Sequence, residues 1–370
     1  HQWSETYDRT LDDVFAIQDE IAAEVVAQLK ITLLSAAPVA RETDPEAYAL
    51  YLQARHLGRQ GTAKAFEQSI ALYQQALTIA PDYVEAWDGL AAVYSDQTER
   101  GERPSDEGYA LAREAAGKAL AIDPDDAKGH VRFALIADAY DRDLPSAARH
   151  LQRALELDPT DLDILGDAAA LAVTLGRLDE AIALQEYVLV RDPANARGHR
   201  RIGYSYLWAG RLDDAISSFC TALTLSPGIL GAHQLIGIAL LLKGEAEAAL
   251  AAMQKESEGR GWRQIGLAMA HHAIGHEAES DAALAKSIET TEQTAAYNIA
   301  FVLAFRGEAD RAFEWLDKAV TYNDPGLSQL TNNPMFANIH SDPRWLAFLE
   351  NIRKSPKQLA AIEFEVKLPE

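Results

Sequence analysis

Prolines recur along the chain at a nearly constant spacing. They stand at positions 81, 124, 159, 193 and 227, which are 43, 35, 34 and 34 residues apart. A step of this size is typical of a tandem repeat in which each unit holds two helices. One such unit cannot bury its apolar faces alone, so the units must stack on their neighbours. The spacing therefore favours one elongated all-α array over several separate globular domains.

The stretch 195–228 shows the repeating unit most clearly. Its apolar residues predict a first helix over 196–209, and Gly210 ends that helix. A second helix is predicted over 212–225, and Pro227 follows its end, where proline is common. The unit is thus a pair of helices joined by a glycine turn.

The same stretch resembles a tetratricopeptide repeat (TPR) at seven positions that this family constrains. The positions are Gly203, Tyr206, Gly210, Ala215, Phe219, Ala222 and Pro227. The resemblance implies an all-α, right-handed TPR superhelix of about eight helix pairs over 45–325. It also implies an extra helix before the array and a capping helix after it.

Two regions depart from the regular repeat. Residues 95–109 form a polar insertion in the second repeat, and we expect them to be an exposed loop. Residues 326–370 resemble the cap that is common in bacterial TPR proteins of this group, and we expect a loosely held tail over 364–370. The cap's apolar side chains would cover the last repeat, as the end of a solenoid requires. They are Trp345, Phe348 and Leu349.

The N-terminal residues have a pattern of their own. The sequence WSETYDR, followed by LDDVFAIQDEIAAEVVAQL, resembles the end of a TolB-amino-terminal-like domain. In bacterial proteins that domain precedes TPR arrays, often behind a nucleotide cyclase or a winged-helix domain. The resemblance implies that 1–34 is a remnant of such a domain, with one strand and one helix, and that 35–44 is a linker. On this interpretation the chain lacks an upstream effector domain.

Charge and cysteine content restrict the possible partners. The formal net charge is −22, which argues against nonspecific binding to nucleic acids or anionic membranes. The sequence has no run of eighteen apolar residues, so it predicts no membrane span. We expect a cytoplasmic protein. Cys220 is the single cysteine, so no internal disulfide can form, and we expect it to be a buried small hydrophobe.

No catalytic pattern stands out in the sequence. It has no phosphate loop, no GxSxG, no Cys/His pair and no zinc spacing, so we predict no enzyme activity and no cofactor. His272 and His276 are four residues apart and could suggest a metal site. Gly275 interrupts the helix between them, so solvent-facing or internally bonded histidines are favoured over a metal.

In TPR proteins, ligands usually lie in a concave groove. The family register places eleven partner-binding candidates there. They are Tyr48, Tyr51, Arg55, Arg197, Arg200, Tyr204, Gln234, Trp262, His272, Tyr297 and Phe301.

Two groups of side chains stand out in that register. One is a basic cluster of Arg191, Arg197, Arg200 and Arg201. Arg197 and Arg200 could hold an acidic ligand segment or a chain terminus, or the cluster could balance acidic neighbours such as Asp161 and Asp163. An apolar group could hold a peptide side chain or an upstream helix, or it could pack within the solenoid. Its members are Trp262, Met269, Tyr297 and Phe301.

These features together predict a non-catalytic protein–protein interaction scaffold. Its groove would bind a peptide or partner segment, as the docking part of a bacterial signalling or transcriptional regulator. Alternatives are the substrate-recruiting arm of a transferase and a homo-oligomerisation module. The expected partners are a protein or peptide ligand, the chain's own upstream domain or a second copy, and neither nucleic acid nor membrane.

Overall fold

The computed structural model describes residues 43–100, 102–257 and 261–369. The predicted strand and helix over 1–34 and most of the 35–44 linker lie outside these residues. All regular elements in the described residues are helical, and sixteen α-helices form eight consecutive pairs. The pairs are α1 (Pro45–Gly58) and α2 (Ala63–Ile79), α3 (Val84–Glu99) and α4 (Ser105–Ile122), α5 (Ala127–Ile136) and α6 (Leu144–Leu157), α7 (Leu162–Thr174) and α8 (Leu178–Arg191), α9 (Ala196–Trp208) and α10 (Leu212–Leu225), α11 (Ala232–Leu242) and α12 (Ala246–Met253), α13 (Trp262–Ala273) and α14 (Glu277–Thr291), and α15 (Ala296–Phe305) and α16 (Ala309–Thr321).

From α3 onward, each first helix packs on the second helix of its own pair and on the second helix of the preceding pair, and most first helices also contact a neighbouring first helix. This arrangement makes the first helices the inner layer of a superhelix. Between α9 and α10 the turn residue Gly210 has φ 74°, and a Cβ there would meet no atom within 4 Å. Glycine is therefore needed at Gly210 for its backbone conformation and not for lack of space. The prediction of an all-α superhelix of eight pairs is confirmed.

The two helices of the fifth pair touch at Gly203. A Cβ on Gly203 would lie 2.5 Å from Cε1 of Phe219, whose ring is fully buried. Because the ring has no free space to move into, the close approach of α9 and α10 depends on the absence of a side chain at this position.

We predict that Gly203→Ala lowers the free energy of unfolding by about 1–3 kcal/mol through overpacking. Gly117, in the interior of α4, is the matched control, because a Cβ there meets only Phe133 at 3.9 Å. Gly117→Ala should stabilise the protein by up to about 1 kcal/mol through helix propensity. Chemical denaturation of both variants checks the opposite signs, and a stabilising Gly203→Ala would contradict the predicted contact.

The expected loop over 95–109 is wrong, because α3 and α4 extend into the polar insertion. Only 100–104 separates the two helices. A Cβ on Gly108 would lie 1.7 Å from Oγ1 of Thr98, and Thr98 is buried. The small residue at Gly108 thus lets two lengthened helices pack where the composition alone indicated an exposed loop.

After α16 the chain continues through two 3₁₀ helices, Pro325–Asn332 and Pro334–Ile339, and then through α17 (Pro343–Asn351) and α18 (Pro356–Ala360). The apolar side chains of α17 join the core cluster that contains Phe313 and Leu316 of α16. The helix α17 therefore covers the apolar surface that the last pair would otherwise expose.

The C-terminal residues return to the middle of the array. Nδ2 of Asn332 donates a hydrogen bond to the carbonyl oxygen of Val173 at 2.6 Å. Phe364 is only 6% exposed and shares a core cluster with residues of α6, α7 and α8. The expectation of a loose tail from Phe364 onward is therefore wrong for the start of that segment. The expectation of a buried cysteine is also wrong, because Cys220 is exposed.

Candidate functional site: the concave groove

The predicted groove residues lie on or next to the first helices. At the N-terminal end Tyr48 is 50% exposed and stacks on Tyr51, with ring centroids 6.3 Å apart. The guanidinium carbon of Arg55 lies 5.6 Å from the centre of the Tyr51 ring. Tyr51 also contacts Tyr83, at 5.3 Å between ring centroids. These contacts hold an aromatic and cationic patch in place at the surface of α1.

The middle of the groove carries a band of opposite charges. Arg132 of α5 interacts electrostatically with Asp96, Glu99 and Asp167, which come from α3 and α7. Protein surrounds these carboxyl groups and raises the pKa of each, while solvent still reaches Asp96 and Glu99. Nη1 of Arg201 lies 3.6 Å from Oδ1 of Asp167. Charge balance thus accounts for part of the arginine cluster, with Asp167 as the acidic partner.

Asp88 of α3 is a buried acid next to this band. It is 6% exposed, and neither carboxylate oxygen has a hydrogen-bond partner within the described residues. Burial and the nearby charge of Asp126 raise the pKa of Asp88 to about 8. Both effects disfavour the charged form, so Asp88 keeps its proton to a higher pH than an ordinary aspartate.

Arg197 and Arg200 have different surroundings from those of Arg201. Arg197 is exposed, and Arg200 is half-buried with its guanidinium carbon 5.8 Å from the centre of the Tyr204 ring. Nε of Arg200 is buried and has no hydrogen-bond partner in the part of the chain that the structure describes. Tyr204 is held by Trp208, at 5.2 Å between ring centroids. The predicted binding pair therefore consists of one exposed arginine and one that an aromatic ring orients.

Three predicted groove residues lie in the core instead. Gln234 is 1% exposed, and Tyr297 and Phe301 are also buried. The Tyr297 hydroxyl accepts a hydrogen bond from Nδ2 of Asn333 at 2.8 Å, and the rings of Tyr297 and Phe336 lie 5.5 Å apart. The prediction that these three side chains line the groove is wrong, because the cap or a neighbouring first helix covers each of them. For Tyr297 and Phe301, the alternative of packing within the solenoid is correct.

The remaining two candidates are partly accessible. Trp262 is half-buried beside Gly231, where a Cβ would lie 3.8 Å from the indole ring. Nδ1 of His272 lies 3.2 Å from a carboxylate oxygen of Glu277, and its ring packs edge-on against Phe305. In the described residues no group of three or more histidine, cysteine or acidic side chains is arranged to hold a metal ion. Trp262 and His272 stay predicted partner-binding residues.

Arg132 is the groove residue that the family register missed. Its neighbour Val131 is buried, while Arg132 interacts electrostatically with the acidic side chains. A charged residue inside an apolar helix was the available signal for Arg132. Its buried Nε atom has no hydrogen-bond partner within the described ranges.

Residues 139–200 match the family model described as a tetratricopeptide repeat. This segment begins in the third helix pair and ends in the fifth, and the pairs on either side have the same arrangement. The match shows tetratricopeptide repeats over this segment. The described residues of this array contain no helix long and apolar enough to cross a membrane.

Similarity to proteins outside the family model is partial. The protein named Putative adenylate cyclase 3 from Rhizobium meliloti (strain 1021) is 30% identical over 140 residues. That alignment covers 36% of this TPR chain and 24% of the relative, so the chain spans only about a quarter of the relative's length.

Two solved structures are similar to the chain. The human IFIT1 dimer with PPP-AAAA has a TM-score of 0.52 and 16% identity, over 72% of each chain. PilW, a type IV pilus biogenesis factor, has a TM-score of 0.48 and 17% identity, over 65% of this chain and 100% of PilW. At these identities the likeness concerns the helical architecture alone.

Proposed function

We propose that the chain is a non-catalytic scaffold whose concave groove binds an acidic peptide or partner segment. The observation that carries this proposal is the combination of exposed Arg197 with ring-oriented Arg200. Arginine binds carboxylates through paired hydrogen bonds, and the side chain of Arg197 is exposed to such a ligand. TPR arrays in general support protein interaction, which agrees with this function.

The cellular role that we propose is docking within a cytoplasmic signalling or transcriptional regulator. The similarity to a protein named as an adenylate cyclase supports the signalling context. The TolB-like resemblance of the N-terminal residues, which lie outside the described part, agrees with it. On this proposal the partner is a protein segment or the regulator's own upstream domain, and the TPR array itself contributes no catalytic group.

Arg197→Ala combined with Arg200→Ala is expected to weaken binding of acidic peptides by tenfold or more, since each lost charged hydrogen bond costs about 1.5–3 kcal/mol. The melting temperature should change by no more than about 2 °C, because neither side chain is fully buried. Fluorescence anisotropy with a panel of acidic and free-carboxylate peptides measures the affinity.

Arg153→Ala is the matched control, because Arg153 lies on the second helix α6 and pairs with Asp125 at 2.6 Å. It removes one arginine without touching the groove. Peptide affinities that are equal in the wild type and in the Arg197/Arg200 double variant would rule out these arginines as the binding site.

A further inference from the structure

The C-terminal segment 362–366 lies on the third and fourth repeats in a regular pattern of burial. Ile362 and Phe364 are buried, and Val366 is half-buried against the same cluster, while Glu363 and Glu365 are exposed. Alternation with a period of two residues is the mark of an extended backbone that has one side on a surface. The segment therefore docks as an extended strand-like peptide and not as a helix.

The array holds the backbone of this segment from both edges. The Arg177 guanidinium donates from Nη2 to the carbonyl oxygen of Ile362 at 2.7 Å and from Nη1 to the carbonyl oxygen of Phe364. On the opposite edge the backbone N–H of Glu365 donates to Oε1 of Gln152 at 3.1 Å. In an extended chain, residues two apart present their carbonyls on the same edge, so one guanidinium can bridge both.

The apolar side chains of the segment enter a cluster that the array supplies. Ile362 and Phe364 belong to the same buried cluster as Leu151 and Leu155 of α6 and Leu184 of α8. Main-chain hydrogen bonds combined with pockets for alternate side chains are how proteins recognise extended peptides. The receptor side is made of Arg177, Gln152 and this cluster, which we call the Arg177 site.

The segment can leave without opening the cap that precedes it. The Nζ atom of buried Lys354 donates to the carbonyl oxygen of Ser328 at 3.3 Å, and Asn332 is bonded to Val173. These contacts tie the cap to itself and to α7, independently of 362–366. Departure of the segment would therefore expose the Arg177 site and leave the cap in place.

We propose that the Arg177 site is a peptide-binding site and that residues 362–366 occupy it as a tethered ligand. The partner that it fits is an extended protein segment with an aromatic residue flanked, at two-residue steps, by aliphatic residues. A tethered segment acts at an effective concentration of about millimolar, so a partner binds only in competition with it. This site is separate from the groove and does not depend on the groove proposal.

The test uses the full chain with Ile362→Asp and Phe364→Asp, which we call the released variant, and a fluorescent peptide with the sequence of residues 358–369. The released variant should bind the peptide at least about tenfold more tightly than the wild type, which carries its own competitor. Adding Arg177→Ala to the released variant should weaken binding by about tenfold or more. Adding Arg149→Ala, an exposed arginine of α6, should leave affinity unchanged.

Several outcomes would overturn this proposal. One is a folded released variant that does not bind the peptide, and another is an Arg177→Ala change without effect. Hydrogen exchange on the wild type gives an answer even if the released variant is unfolded. Excess peptide should accelerate exchange of the 362–366 amides, and unchanged rates would refute competition.

Two further measurements separate this site from the other possible arrangements. A wild-type dimer in light scattering that dissociates in the released variant would overturn the tethered assignment, because the segment would then come from a second copy. Arg197→Ala with Arg200→Ala should not alter affinity for the 358–369 peptide. Failure of the groove proposal is thus distinguishable from failure of this one.

Discussion

Glu256→Ala is expected to lower the free energy of unfolding by about 3 kcal/mol or more. Glu256 is buried at the end of the sixth repeat, and its carboxylate accepts backbone N–H bonds at the start of α11. The donors are Gly231 at 3.1 Å, His233 at 3.1 Å and Gln234 at 3.3 Å. Removing the carboxylate leaves several buried donors without an acceptor, and each such donor costs about 1–3 kcal/mol.

The control for this prediction is Asn195→Ala, which removes a local cap. Oδ1 of Asn195 accepts one bond from the N–H of Gly198 at 2.8 Å, so its loss should cost about 1 kcal/mol. Denaturant unfolding gives the free energies, and hydrogen exchange at His233 and Gln234 should accelerate in Glu256→Ala alone. A cost no larger than that of Asn195→Ala would contradict the proposed capping role of Glu256.

Asp88→Asn is expected to stabilise the protein at alkaline pH and to have little effect near pH 4. The pKa of Asp88 is about 8 in the folded protein, against an ordinary value of 3.8. The folded state therefore retains a proton that the unfolded chain releases as pH rises between these values. Asp88 loses its proton more easily in the unfolded chain, so the destabilisation of the folded state by Asp88 grows as pH rises through this window. It is complete above about pH 8.

Each unit of pKa difference corresponds to about 1.4 kcal/mol, so the stabilisation by Asp88→Asn should reach a few kcal/mol at about pH 9. The amide carries no charge and can donate to Asp126, which removes the conflict between the two carboxylates. Thermal melts of the wild type and the variant from about pH 4 to 9 measure the difference. Asp163→Asn, at an exposed position, serves as control. A stability difference that does not vary with pH would contradict the raised pKa of Asp88.

The neighbours of Asp88 are charged residues of the predicted groove. Asp88 lies beside Asp126 and Arg132, at the acidic end of the charged band in the groove. An acid with a strongly shifted pKa is a candidate functional group, although structural charge networks shift pKa values as well. Peptide affinities of the wild type and of the Asp88→Asn variant can therefore also be compared at different pH.

Local signals in the sequence predicted the helix pairs well. The helices α9 and α10 end within one residue of their predicted bounds, because apolar periodicity, a turn glycine and a following proline act over a few residues. The same signals failed at 95–109, where polar composition suggested a loop. There Gly108 allows packing against Thr98, a contact that composition does not show.

The candidate groove could be predicted only in part, and for a physical reason. The family register places a residue on a helix face, but it cannot say whether another element covers that face. Tyr48 and Arg197 remain exposed, whereas the cap buries Tyr297 and Phe301. The cap's position follows from contacts with the eighth pair and with repeats far away in the chain.

The sequence by itself determined the repeat period, the helix pairs and the small residues where the helices meet, because these depend on neighbours within one repeat. Only the tertiary structure showed that Glu256 caps a helix more than twenty residues before it, and that Arg177 holds Phe364 across 187 residues. The second of these contacts depends on the curvature of the superhelix, which sums a small rotation at every repeat. No short stretch of sequence encodes that sum, so the sites formed where distant repeats meet became visible only in the folded array.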